Sequence, residues 1–242
     1  MKSIHLPRID ARYWAGITMA SVFGTNTGDV FAFRSGLGIL GGIPILAAVI
    51  TVAYFLERRD ETRHEAWYWL AIILIRTGAT NIADYVCGRR FLHVDRVLFS
   101  TVLAVFIAIM AVWQHRNNDR PGLPRTDANY WITMLAAGVF GTAAGDAVLG
   151  ALGGPHGIGG VYASAILLAM LAALLLSGRG GRIQMLYYYW LTICVARTAG
   201  TAIADMLAEN EILDIGLPLS TTITCIVFLG VLVLSRSRPQ RD

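Results

Sequence analysis

Arg76-Thr77-Gly78-Ala79-Thr80-Asn81-Ile82-Ala83-Asp84 sets an arginine, an asparagine and an aspartate into an otherwise apolar run. It returns as Arg197-Thr198-Ala199-Gly200-Thr201-Ala202-Ile203-Ala204-Asp205. Softer versions stand at Val22-Phe23-Gly24-Thr25-Asn26-Thr27-Gly28-Asp29 and Val139-Phe140-Gly141-Thr142-Ala143-Ala144-Gly145-Asp146. A Tyr-Trp pair precedes each: Tyr13-Trp14, Tyr68-Trp69, Tyr130-Trp131 and Tyr189-Trp190. From Trp to Asp is fifteen residues in every copy, and a Thr stands four residues before each Asp. The pattern predicts a fourfold internal repeat.

Composition decides the class. The chain is 55% hydrophobic and 15% charged, with a mean hydropathy of +0.56. Apolar runs of about twenty residues follow one another, each long enough to cross a bilayer. The first ten residues mix Lys2, His5, Arg8 and Asp10 and hold no apolar core of a signal peptide. A net charge of +4 reads as the loop bias of a membrane protein rather than a nucleic-acid surface. Cys87, Cys194 and Cys225 lie in or beside apolar runs and suggest neither a disulfide framework nor a zinc site.

The expected fold is an all-α integral membrane protein of eight transmembrane helices, four parallel two-helix repeats around a central polar interior. The spans run over about 11–33 and 39–56, a third that opens at Trp67 and carries Arg76 and Asp84, then 97–113, 130–149, 160–176, 188–207 and 217–234. The repeats occupy residues 11–57, 66–114, 128–177 and 187–235, in one membrane domain with pseudo-symmetric halves 11–114 and 128–235. Pro121, Gly122 and Pro124 mark the boundary between the halves. Two spans per repeat carry all four motif helices across in the same direction. The side with both termini holds fourteen Lys or Arg and the other four, which predicts cytoplasmic termini. The Tyr-Trp pairs then form an aromatic belt at the cytoplasmic interface.

Thr and Asp four apart share a helix face. Each Asp lies about 22 Å beyond its Trp, in the outer third of a core about 30 Å thick. Arg76 and Arg197 lie about 10 Å in and lean away from the Asp layer. Small residues four apart, such as Gly24 and Gly28 or Gly141 and Gly145, let helices approach closely beside this face. The candidate ion pathway is therefore Asp29, Asp84, Asp146 and Asp205 with Thr25, Thr80, Thr142 and Thr201, joined by Arg76, Arg197, Asn26 and Asn81. Ser100-Thr101 and Ser220-Thr221-Thr222 of the outer helices are expected to line the same cavity. Any metal would fall to the four aspartates.

Plainer readings stand beside these. The aspartates end helices at a hydrated surface, the arginines snorkel to headgroups, and the Thr hydroxyls bond the carbonyl one turn back. Intramembrane carboxylates are costly, about 2.5 to 3.5 kcal/mol at the bilayer centre, which favours a working role for them. His64, His93, His115 and His156 are placed in connections and His5 in the tail, without metal-ligand spacing. The residue three before each Asp is Asn26, Asn81, Ala143 or Ala202, so the Gly-x-Gly-Asp motif of intramembrane aspartyl proteases is missing. No Walker loop, nucleophile elbow or His-Glu-x-x-His helix is present. Nothing indicates haem, flavin or another cofactor.

These copies resemble the bacterial membrane proteins built of tandem repeats of unknown function, over nearly all of the chain from Arg12 to Ser235. The resemblance implies a multi-pass protein of the bacterial inner membrane and brings no activity or substrate. Four carboxylates against two guanidiniums leave two negative charges, so the leading expectation is a small transporter or channel for a cation. Oxygen ligands suit a proton or a hard metal ion. The alternatives are a membrane scaffold or sensor whose polar residues bind helices together, and an intramembrane enzyme. The expected partners are the lipid bilayer and a small cation, with no nucleic acid; a higher oligomer is compatible with the sequence.

Overall fold

The computed structural model describes all but residues 1–5, 35, 37, 60–64, 90, 118–123, 179–185 and 237–242. Its eight α-helices are α1 Ala11–Asp29, α2 Gly38–Arg59, α3 Glu65–Cys87, α4 Arg96–Arg116, α5 Ala128–Ala151, α6 Ile158–Ser177, α7 Leu186–Glu209 and α8 Leu217–Arg236. A π-turn, Val30–Arg34, prolongs α1. There is no sheet among the described residues.

Local chemistry sets the helix starts. The Asp10 carboxylate accepts from the backbone N–H of Arg12 and Tyr13 at 2.9 and 3.1 Å, and Asp127 accepts from Tyr130 at 2.9 Å. Each caps its helix three residues before a motif tyrosine, and Asp95 does the same for α4 through Leu98 at 2.8 Å. At the other end, Asn210 ties two turns together. Its amide donates to the Pro155 and Gly157 carbonyls at 2.9 and 2.8 Å, and its oxygen accepts from Ile212 and Leu213.

Six of the described helices, α3 to α8, are long and apolar enough to cross a membrane. The expected eight meet a physical obstacle in α1. Its buried positions include Thr18, Ser21, Thr25 and Asn26, which lower hydropathy without facing lipid. In α2 the described apolar stretch is Gly38–Ala53. Many of the basic residues in the charge count, Lys2, Arg63, Arg90, Arg120, Arg179, Arg182, Arg238 and Arg241, lie outside the described residues, as do His5 and His64.

The four motif helices touch in cyclic order: α1 packs on α3 and α7, and α5 on α3 and α7. The outer helices follow a different rule from the one the unit boundaries suggest. α2 packs mainly on α3, α4 on α5, α6 on α7, and α8 closes back onto α1. Each outer helix thus rests on the motif helix of the next unit.

The small-residue stripes lie in the inner contacts. A Cβ built on Gly24 would stand 2.6 Å from Arg76 Cγ, and one on Gly28 2.8 Å from Thr80 Cβ. In the second half Gly141 meets Arg197 Cβ at 2.5 Å and Gly145 meets Thr201 Cβ at 2.8 Å. Backbones approach this closely only where no side chain intervenes.

One histidine needs correction. His115 belongs to the last turn of α4, where its ring lies 5.0 Å from Tyr187, and not to a connection.

Candidate functional site

The tyrosines do not form an interfacial belt. Tyr13, Tyr68, Tyr130 and Tyr189 are fully buried, and their hydroxyls close a square. The sides are Tyr13–Tyr68 2.8 Å, Tyr68–Tyr130 2.8 Å, Tyr130–Tyr189 2.9 Å and Tyr189–Tyr13 2.5 Å. A phenol has one proton and spare lone pairs, so each can donate once and accept once around the ring. Trp14, Trp69 and Trp190 are also buried, edge-on to their neighbouring tyrosines. The physical reason is position: these residues begin the inner helices, where four helices leave a gap that an aromatic ring fills. The square seals one end of the inner bundle.

Farther along the axis lie the two arginines, both without solvent exposure. Arg76 reaches across the bundle. Its NH1 donates to the Gly138 carbonyl at 2.7 Å and to Thr142 Oγ1 at 2.8 Å. Its NH2 donates to Thr25 Oγ1 at 2.7 Å and Thr201 Oγ1 at 2.5 Å, and Nε to the Ser21 carbonyl at 3.4 Å. A hydroxyl accepts through its lone pairs and keeps its proton for another partner: Thr25 donates to the Ser21 carbonyl at 2.9 Å, and Thr201 faces the Gly141 and Arg197 carbonyls at 3.2 and 3.3 Å. The bond to the carbonyl one turn back, expected from the sequence, is thus present in Thr25 and Thr201. Thr80 bonds the Arg76 carbonyl at 3.4 Å and does not touch the guanidinium.

Arg197 stands at the equivalent motif position and lies differently. NH1 donates to Ser21 Oγ at 3.2 Å, NH2 meets Met134 Sδ at 3.3 Å, and Nε has no partner among the described residues. Two guanidiniums converging on one axis cannot share one threonine cradle; Arg76 occupies it.

Neither arginine forms an ion pair with an aspartate among the described residues. The carboxylates acting most strongly on Arg76 are Asp205, Asp29 and Asp146, on the other three inner helices. The one Arg–Asp bridge in the described residues joins Arg96 Nε of α4 to Asp146 Oδ2 at 3.3 Å. Asp29, Asp84, Asp146 and Asp205 are all half-buried and stand near the ends of their helices opposite the tyrosines. Among the described residues no three carboxylate, imidazole or thiol groups gather closely enough to hold a metal ion.

The asparagines turn away from the axis toward the outer helices. Asn26 donates to Ser220 Oγ at 2.7 Å and Thr224 Oγ1 at 3.4 Å on α8. Asn81 faces α2, where a Cβ on Gly42 would lie 3.5 Å from its Nδ2. Of the hydroxyls expected in the cavity, Ser220 meets Asn26, Ser100 bonds the Arg96 carbonyl, and the exposed Thr101 and Thr222 bond their own helices. The tyrosine square and Arg96 escaped the sequence reading. The signal for the square was present in the fixed Tyr-Trp spacing.

No curated protein and no solved structure matches the chain. The model of the family described as Repeat of Unknown Function (DUF347) matches twice, at residues 12–62 and 188–238, the first and last of the four units read from the sequence.

Proposed function

We propose that the chain is a small cation transporter of the bacterial inner membrane, its eight helices spanning as four parallel two-helix repeats with both termini cytoplasmic. The observation that carries this reading is the set of four half-buried carboxylates at one end of the inner bundle, beyond the threonines that hold Arg76. Carboxylates held together in a low-dielectric setting favour a positive guest, which relieves their repulsion. The parallel repeat arrangement is supported by tyrosines meeting near the helix starts while aspartates interact near the helix ends.

The closed tyrosine square and the arginine in the threonine layer fit a gated carrier better than an open channel. A proton suits the site better than a caged metal ion, because the carboxylates do not converge on one centre. On this reading Asp29, Asp84, Asp146 and Asp205 receive the proton. Thr25, Thr142 and Thr201 hold Arg76 as a movable positive barrier.

A second reading, a non-transporting scaffold, is favoured by one specific observation: Arg76 alone binds residues of α1, α5 and α7 to α3. Proton flux separates the two. Purified protein in liposomes carrying an imposed pH gradient should dissipate it faster than protein-free liposomes. Equal rates would favour the scaffold.

A further inference from the structure

Thr77, Asn81 and Asp84 stand at i, i+4 and i+7 on α3, within about 60° of arc around the helix. Each carries a buried side-chain atom with no partner among the described residues: Thr77 Oγ1, both Asn81 atoms and Asp84 Oδ2. Thr77 is 1% exposed and Asn81 0%. Buried polar groups are satisfied by protein or by water, and leaving them dry is costly.

The other inner helices show that this stripe is particular to α3. Asn26, at the motif position of Asn81, donates its amide to two hydroxyls of α8 and leaves only Oδ1 without a partner, whereas neither side-chain atom of Asn81 is met and Gly42 is what α2 brings up to it among the described residues. On α5 and α7 the same position is Ala143 or Ala202. At the position of Thr77 stand Val22, Val139 and Thr198, and Thr198 bonds the Cys194 carbonyl at 2.9 Å.

We infer that Thr77, Asn81 and Asp84 line an off-axis lane of water between α2 and α3, which gives protons access to the interior from the aspartate end. Spacing decides between water and a single bound ion. A hard cation draws its oxygens to within about 2.5 Å of itself. Thr77 and Asp84 are separated by about 10 Å along the helix. Successive members of the stripe are about 5 to 6 Å apart. One bridging water spans such a gap with two hydrogen bonds of about 2.8 Å.

The axis at this depth is filled by Arg76, so the lane runs beside it. At the mouth, the charges that act on Asp84 are Asp146 and Arg96, then Arg76 and Glu209. Asp146 is held by Arg96 at 3.3 Å, which leaves Asp84 the carboxylate that opens onto the lane. The proton as traveller rests on the transport reading; the water lane rests on the unpartnered atoms alone.

The test uses a buried thiol as the probe, in full-length protein with Cys87→Ala, Cys194→Ala and Cys225→Ala. Thr77→Cys and Asn81→Cys are compared with Val139→Cys and Ala143→Cys by the infrared S–H band after transfer to deuterium oxide. Lane positions should exchange at least about tenfold faster than their α5 counterparts. Exchange at one common rate at both pairs, whether fast or slow, would overturn the lane. Two pairs keep the comparison standing if one variant misfolds. Fast lane exchange without proton flux in wild-type liposomes would sink the transport reading and leave the lane. Flux with uniform exchange would do the reverse.

Discussion

At the scale of single residues, identical motif positions carry unequal duties. Arg76 makes five hydrogen bonds in the threonine layer, while Arg197 makes two and leaves Nε bare. A lysine cannot reproduce the fork, so Arg76→Lys should lose about 2 to 4 kcal/mol of stability and Arg197→Lys less, measured by denaturation in detergent. Equal losses would mean that the two arginines exchange places freely. In the tyrosine square, Tyr68→Phe removes one donor and deprives a neighbour. It should cost about 1 to 3 kcal/mol, far more than Tyr162→Phe at the exposed surface of α6. The repeated arginines, threonines and aspartates were legible as a polar layer because their spacing is fixed. Which arginine fills the cradle was not legible, because it is decided by competition for one axis and not by either local sequence.

At the scale of elements, close packing and partner choice come from different signals. The glycine stripe predicted tight inner contacts, and Gly141 and Gly145 sit against Arg197 and Thr201. Gly141→Leu should therefore destabilise the fold by about 2 kcal/mol or more. Gly230→Leu on α8, where a Cβ would meet nothing within 4 Å, should be close to neutral. Similar melting temperatures for the two variants would remove the stripe from the interface. The helix ranges were readable from apolar runs to within a few residues. The pairing of each outer helix with the next unit's motif helix was not, since covalent adjacency says nothing about which groove a helix fills. The caps at Asp10 and Asp127 also went unread, although each precedes its motif tyrosine by three residues.

At the scale of the whole molecule, a sealed aromatic end, a central arginine and a carboxylate end make one polar column inside an apolar shell. The proposed eight spans with cytoplasmic termini predict that reporter fusions at residues 60–64, 118–123 and 179–185 report the cytoplasm, and those near Gly153 and Gly216 the opposite side. A fusion at any of these sites reporting the wrong side would break the parallel arrangement. The four carboxylates are proposed to bind the transported cation, and proton flux in liposomes decides it for Asp29→Asn, Asp84→Asn, Asp146→Asn and Asp205→Asn, each verified as folded. Every variant should fold and lose flux, with Asp84→Asn lowest because its carboxylate serves the lane beside α2. Four folded variants that move protons like the wild type would contradict it and leave these aspartates as structural residues.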